Sequence, residues 1–148
     1  SSHLSAFWDM LPTMSDLIGE SIKGRTDGIS MLNELLGKSE LQKNHEYLYW
    51  ELYEGKPNCS IRFNHWKGIV KDRRDGMKVE LYNLQSDFRE INNVADKNPT
   101  IVNKMIKLMK EAHEPSPFWD KDNAPLYNAP AACKYTGVSY KPLSNENK

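Results

Sequence analysis

The chain has 148 residues, 39% of them hydrophobic and 10% aromatic, and its 20 Lys and Arg balance its 20 Asp and Glu. This composition is typical of one globular domain and argues against a disordered chain. A nucleic-acid-binding protein would show a basic excess, so no nucleic-acid partner is expected. No apolar run reaches the roughly 18 residues of a membrane helix, so no membrane span is expected.

The chain begins with helical patterning. Apolar residues recur at three- and four-residue spacing across residues 4–18, which predicts an amphipathic helix. Pro12 fits that helix if it begins near Asp9, because a proline in the first turn loses no hydrogen bond. Gly19 suits its C-terminal end. A second, short helix is predicted across residues 29–36.

An alternating pattern replaces the helical one at residue 46 and predicts a strand. Three further short runs follow, at residues 59–63, 66–71 and 79–82. The turn between the second and third is Asn64-His65, a candidate two-residue hairpin connection. Four short strands joined by tight turns favour an antiparallel meander.

A longer helix is predicted across residues 99–113, with Asn98 before it and Pro99 at its first position. We expect its apolar face to cover the sheet through Leu48, Trp50 and Leu52. The opposite face of that strand would then remain for a ligand or another domain through Tyr47, Tyr49 and Tyr53. The fold class is α+β: a roughly four-stranded antiparallel sheet packed against a C-terminal helix and preceded by one or two short helices.

No catalytic or metal-binding motif is visible in the residues themselves. The four histidines lack metal-ligand spacing, and alternation places most of the carboxylates of Glu46, Glu51, Glu54 and Glu80 on a wet face. Asp72, Asp75 and Gly76 are explained by a turn. Cys59 and Cys133 form neither a disulfide framework nor a metal site. No metal ligand and no catalytic residue is therefore predicted in this chain.

An aromatic stripe offers one binding hypothesis. Tyr47, Tyr49 and Tyr53, with Trp50 and Trp66, could stack on sugar rings, although such a stripe is more often sheet interior or a domain interface. Taken without the rest of the sequence, this stripe indicates a free-standing carbohydrate-binding or interaction module, which is the alternative function.

Several stretches together resemble the C-terminal region of sulfatases of the arylsulfatase type, in the alkaline-phosphatase-like superfamily. Residues 3–13 carry an Asp-x-x-Pro-Thr run, and residues 27–30 read Asp-Gly-Ile-Ser. Residues 46–51, 61–68 and 80–84 resemble strands of the sulfatase C-terminal subdomain. Residues 87–99 are similar to that family's connection into its last helix, with Phe88-Arg89 in place of the usual Pro-Gly.

This resemblance implies a domain organisation. Residues 1–38 would be the helical tail end of the large catalytic domain, and residues 39–118 the C-terminal subdomain. Residues 119–148 would form a partly disordered extension. The chain also lacks an initial Met, so we expect a piece of a longer protein.

The resemblance also implies a function: hydrolysis of sulfate esters, most plausibly on carbohydrates, by the parent protein. The family's nucleophile is a formylglycine made in a Cys-x-Pro/Ala-x-Arg motif, which this sequence lacks. Formylglycine and calcium are therefore expected in the missing large domain. The chain alone is expected to be structural and inactive, closing one side of the substrate cleft.

Three residues at strand starts or turns are the candidates to line that cleft: His45, Arg62 and Trp66. The expected partners are the large domain of the same polypeptide and a sulfated carbohydrate. Self-association through the tyrosine face is expected if the large domain is absent. Carbohydrate sulfatases usually act in the periplasm, outside the cell or in a lysosome-like compartment, so the resemblance implies one of these locations for the parent protein.

Overall fold

The computed structural model describes residues 1–53 and 56–114. These residues divide into two compact units, one of residues 1–48 with 62–64, the other of residues 49–53, 56–61 and 65–114. The predicted extension at residues 119–148 lies outside the described residues. The boundary predicted at residue 38 stays a prediction.

The first unit contains two helices. A 3-10 turn at Phe7–Asp9 leads into α1, Met10–Ile18, which ends at Gly19 with a left-handed φ of 75°. The start near Asp9 and the stop at Gly19 agree with the sequence pattern. The second helix, α2, is shorter than predicted and spans Leu32–Leu35.

Four strands form one antiparallel sheet in the order β1-β2-β3-β4, as the meander prediction requires. They are β1 Leu48–Leu52, β2 Asn58–Phe63, β3 Trp66–Val70 and β4 Val79–Asn83. In the register of the last pair, Trp66 lies opposite Asn83 and Val70 opposite Val79. Asn64 has a φ of 52°, which the tight turn between β2 and β3 requires.

The second unit has its core between the sheet and α3, Pro99–Ala112. The helix buries Met105, Leu108 and Met109. A Cβ on Gly68 would lie 2.7 Å from the Met105 sulfur, so the glycine in β3 gives the helix room. The Cys59 and Met109 sulfurs are 3.9 Å apart. The α+β fold class is confirmed.

The predicted packing of β1 is wrong for two of its three residues. Leu48 is buried at 2% exposure, but Trp50 is 36% and Leu52 51% exposed. The intervening Tyr49 and Glu51 are half-buried instead, and the Glu51 carboxylate bonds to His113 after α3. A carboxylate can be buried when protein donors offset the loss of its hydration. Because neighbouring residues of a strand face opposite sides, the inward position of Glu51 places Trp50 and Leu52 on the outer side.

Within the described residues, no helix is both long and apolar enough to cross a membrane.

Candidate functional site

A buried carboxylate organises the first unit. Asp9 stands immediately before α1 and is fully buried. Its Oδ2 accepts a 2.7 Å hydrogen bond from the Ala6 N–H, and its Oδ1 accepts one of 2.8 Å from the Ile29 N–H. The His45 Nε2 is also 2.8 Å from Oδ1. One side chain thus joins α1 to two distant segments of the chain.

These hydrogen bonds keep Asp9 charged. Burial alone raises the pKa of its carboxyl, but the backbone donors of Ala6 and Ile29 and the imidazole of His45 outweigh burial. The net pKa lies below the usual value for aspartate. This group is therefore a fixed anionic anchor rather than a proton donor near neutral pH.

Thr13 and Gly28 complete the same junction. The Thr13 hydroxyl donates a 2.6 Å hydrogen bond to the Asp9 carbonyl and accepts one of 3.0 Å from the Met31 N–H. A Cβ on Gly28 would lie 2.2 Å from the Trp8 carbonyl oxygen, so only glycine allows this approach. The Asp-x-x-Pro-Thr and Asp-Gly-Ile-Ser runs of the sequence thus meet in space.

His45, the first predicted substrate residue, is part of this junction. Its side chain is 9% exposed and is held by Asp9. That position gives it a structural task, and a contact with substrate stays a prediction.

Arg62, the second candidate, has a different environment. It lies on β2, half-buried, and its Nε–H is buried without a hydrogen-bond partner in the part of the chain that the structure describes. Buried polar groups are nearly always satisfied in native proteins. The guanidinium is permanently charged and can bind anionic groups through its other N–H groups, so a contact with substrate stays a prediction.

Trp66, the third candidate, begins β3 in the second unit and is half-buried. Its ring lies 5.0 Å from the His65 ring at an interplanar angle of 39°. A sugar contact by this indole stays a prediction.

A second carboxylate centre, on Glu51, was missed in the sequence. Its Oε1 accepts hydrogen bonds from Arg73 Nη1 at 3.0 Å, His113 Nδ1 at 2.7 Å and the Tyr49 hydroxyl. Its Oε2 accepts one of 2.7 Å from the Tyr53 hydroxyl. Most of the strand and turn carboxylates were expected on a wet face, and Glu51 is an exception. The Tyr-x-Glu-x-Tyr alternation does put these three side chains on one face.

The Glu51 centre is saturated with donors. Burial by itself raises the pKa of Glu51, but hydrogen bonds from Tyr49, Tyr53 and His113 outweigh burial and hold the pKa below its usual value. Burial and the bond to Glu51 raise the pKa of Tyr49. A carboxylate enclosed by four protein donors has little capacity left for a substrate, so the centre fastens β1 to the turn at Arg73 and to the end of α3.

Comparison with known proteins gives the chain its relatives. No known family model matches it. It is 24% identical to arylsulfatase K of Xenopus laevis over 145 residues, which cover 88% of this chain and 27% of that protein. It is 31% identical to human arylsulfatase K over 108 residues, which cover 68% of this chain and 20% of that protein.

Solved structures agree. The crystal structure of a putative sulfatase from Bacteroides thetaiotaomicron superposes with a TM-score of 0.61 at 28% identity, covering 70% of this chain and 23% of that one. The chain is a distant homologue of the sulfatases. The structure of BT4656 in complex with its substrate D-glucosamine-2-N,6-O-disulfate shares the fold, with a TM-score of 0.53 at 23% identity, covering 70% of this chain and 22% of that one.

This sulfatase homologue corresponds to the C-terminal region of its relatives and spans 20–27% of the length of the arylsulfatases K above. Its described residues contain no group of three or more His, Cys, Asp or Glu able to hold a metal ion. The Cys-x-Pro/Ala-x-Arg motif occurs nowhere in its sequence. The described residues thus offer no such cluster for calcium, and the sequence offers no formylglycine motif.

Proposed function

We propose that this chain is the C-terminal part of a sulfatase that hydrolyses sulfate esters on carbohydrates. The homology to arylsulfatase K carries the proposal, at 31% identity to the human protein. The substrate class is supported by BT4656, whose substrate is a sulfated glucosamine. Family habit suggests a periplasmic, extracellular or lysosome-like location for the parent.

Within that parent, this region has a supporting task. Residues 1–38 complete the catalytic domain, residues 39–118 form the C-terminal subdomain, and together they close one side of the substrate cleft. The nucleophile, made as formylglycine, and calcium belong to the remainder of the polypeptide. The saturation of Asp9 and Glu51 by protein donors supports this division, because both carboxylates are committed to structure.

The first experiment is to read the coding sequence upstream of Ser1 and to assay both products. We expect a further large domain with the Cys/Ser-x-Pro/Ala-x-Arg motif. The full product should release sulfate from sulfated glucosamine, whereas the 148-residue chain should release none. A start codon immediately before Ser1, or a full product that hydrolyses no sulfate ester, would overturn the proposal.

Arg62 is the residue we assign to the substrate side of the cleft. Its guanidinium carries a permanent positive charge and planar N–H donors, which suit a sulfate or a sugar carboxylate. Loss of a hydrogen bond to a charged group costs about 1.5–3 kcal/mol. Arg62→Gln in the full enzyme should therefore lower kcat/KM roughly ten- to hundred-fold on the sulfated sugar.

Arg25→Gln is the matched control, because Arg25 is a largely exposed arginine of the same unit. It should leave kcat/KM unchanged. An Arg62→Gln enzyme that keeps its kcat/KM, with an unfolding midpoint equal to that of the wild type, would remove Arg62 from the substrate side.

The alternative of a free-standing carbohydrate-binding module has less support. The Tyr49 and Tyr53 hydroxyls donate to Glu51, so this part of the tyrosine face is used inside the second unit. Titration of the 148-residue chain with sulfated glucosamine distinguishes the two functions, since only the module would bind the sugar without the large domain.

A further inference from the structure

The beginning of β2 carries an acceptor sequence for a covalent modification. Residues 58–60 read Asn-Cys-Ser. An Asn-x-Ser or Asn-x-Thr sequence accepts N-linked glycans when its middle residue is not proline. One other asparagine of the chain, Asn98, has a hydroxyl residue two positions later, and Pro99 between them excludes it. A single acceptor sequence therefore remains among the 148 residues.

The strand turns the two reacting positions of this sequence away from the core. Cys59 is 1% exposed, and its sulfur lies beside that of Met109 under α3. Neighbouring residues of a strand face opposite sides, so Asn58 and Ser60 share the outer side of β2. Both are half-buried rather than buried. The asparagine and the hydroxyl that the modification requires are thus presented together.

The fold can accept a substituent on the Asn58 amide. Its Nδ2 donates to the Lys56 carbonyl oxygen at the surface, at a distance of 3.4 Å. That distance is beyond the usual range for N–H···O hydrogen bonds, so the contact is weak. An asparagine amide also has two hydrogens, and a glycan replaces only one of them. By contrast, the Asn98 Nδ2 donates a 2.9 Å hydrogen bond to the Val94 carbonyl oxygen before α3.

We propose that Asn58 is the attachment site of an N-linked glycan. The inference rests on the proposed function, because it requires a parent protein that reaches the cell exterior or a lysosome-like compartment through a secretory pathway. The glycan donor is an oligosaccharide joined to a lipid pyrophosphate. The Asn58 Nδ2 bonds to the first sugar carbon as the bond from that carbon to the pyrophosphate oxygen breaks. The lipid pyrophosphate leaves, and one amide proton passes to a base of the transferring enzyme.

Mass spectrometry of the full gene product tests this assignment. The product is expressed with a secretion signal in a eukaryotic cell, and medium and cell extract are treated with peptide N-glycosidase F in heavy-oxygen water. This treatment labels each asparagine that carried a glycan. The peptide with Asn58 should gain the label relative to an untreated sample, and the peptide with Asn98 should not. An unlabelled Asn58, from cells that glycosylate a reference glycoprotein, would overturn the inference.

Two substitutions of Ser60 form a matched pair. Ser60→Ala removes the hydroxyl of the acceptor sequence and should lower labelling of Asn58 at least ten-fold, whereas Ser60→Thr keeps a hydroxyl and should retain the label. Equal labelling in the two variants would also overturn the inference. A labelled product that hydrolyses no sulfate ester contradicts only the proposed function. An active sulfatase with an unlabelled Asn58 contradicts only the glycan assignment.

Discussion

Asp9 connects distant segments of the first unit through one side chain. Both of its oxygens accept backbone N–H groups, and one also pairs with His45. Each of these donors is removed from water in the folded chain, so it needs an acceptor to offset its desolvation. A carboxylate is well suited because both oxygens are acceptors, and neither presents a hydrogen to the donors.

Asp9→Asn tests this requirement with almost no change in shape. Either orientation of the amide points an NH₂ group at a donor, so a backbone N–H or the His45 ring loses its acceptor. We expect the free energy of unfolding to fall by about 2–4 kcal/mol, as for other broken buried hydrogen bonds to charge. Urea unfolding measures it, and Asp16→Asn, on an exposed residue of α1, should change it by less than about 0.5 kcal/mol. Equal effects of the two variants would contradict the anchor.

The sequence pattern predicted that β1 is a strand but not which of its faces is packed. Alternation correctly indicated a strand, since its period of two follows from backbone geometry. The packed face was misassigned, because hydropathy ranks Trp50 and Leu52 as interior and Glu51 as exterior. Two of the four donors to Glu51, Arg73 and His113, are remote in sequence. Their part of the compensation appears only when the tertiary structure brings those residues together.

Helix ends and turns could be predicted because they depend on residues that are close together in the sequence. Pro12 in the first turn of α1, Gly19 at its end and Asn64 in the hairpin all follow local backbone preferences. Among candidate site residues, sequence could suggest His45 by its position but could not show its pairing with Asp9, which lies 36 residues away.

The asymmetry of β1 can be tested with two leucines of the same strand. Leu48 is buried and Leu52 is half exposed, although alternation places both on one side of the strand. Leu48→Ala should lower the free energy of unfolding by about 2–4 kcal/mol, and Leu52→Ala by less than about 1 kcal/mol. Urea titration of both variants measures the difference. If Leu52→Ala is as costly as Leu48→Ala, the outward placement of Leu52 is wrong.

Across the whole molecule, carboxylates with lowered pKa occur in both units. Asp9 lies in the first unit, and Glu51 and Asp72 lie in the second. Hydrogen bonds from Arg74 hold the pKa of Asp72 at about 2, below its usual 3.8. The Lys71 ammonium likewise lowers the pKa of Glu80. The formal net charge is zero at pH 7, so near neutral pH these local pairings, rather than an excess of one sign, are the electrostatic feature that acid removes.

Stability should therefore depend on acid in a defined direction. A carboxyl whose pKa is lowered by folding stabilises the native state above its unfolded pKa, 3.8 for Asp and 4.5 for Glu. That contribution is lost as pH falls through the folded pKa. We expect the urea midpoint to drop between pH 4.5 and about 2, the pKa of Asp72.

Glu51→Gln supplies the decisive comparison for this acid response. Its midpoint should be lower than that of the wild type near neutral pH, because Arg73 and His113 lose a charged acceptor. The variant should then lose less stability on acidification, because one of the titrating groups is gone. Glu111→Gln, on an exposed carboxylate of α3, should follow the wild-type curve. A Glu51→Gln curve parallel to the wild type at every pH would show that this carboxylate contributes nothing to acid unfolding.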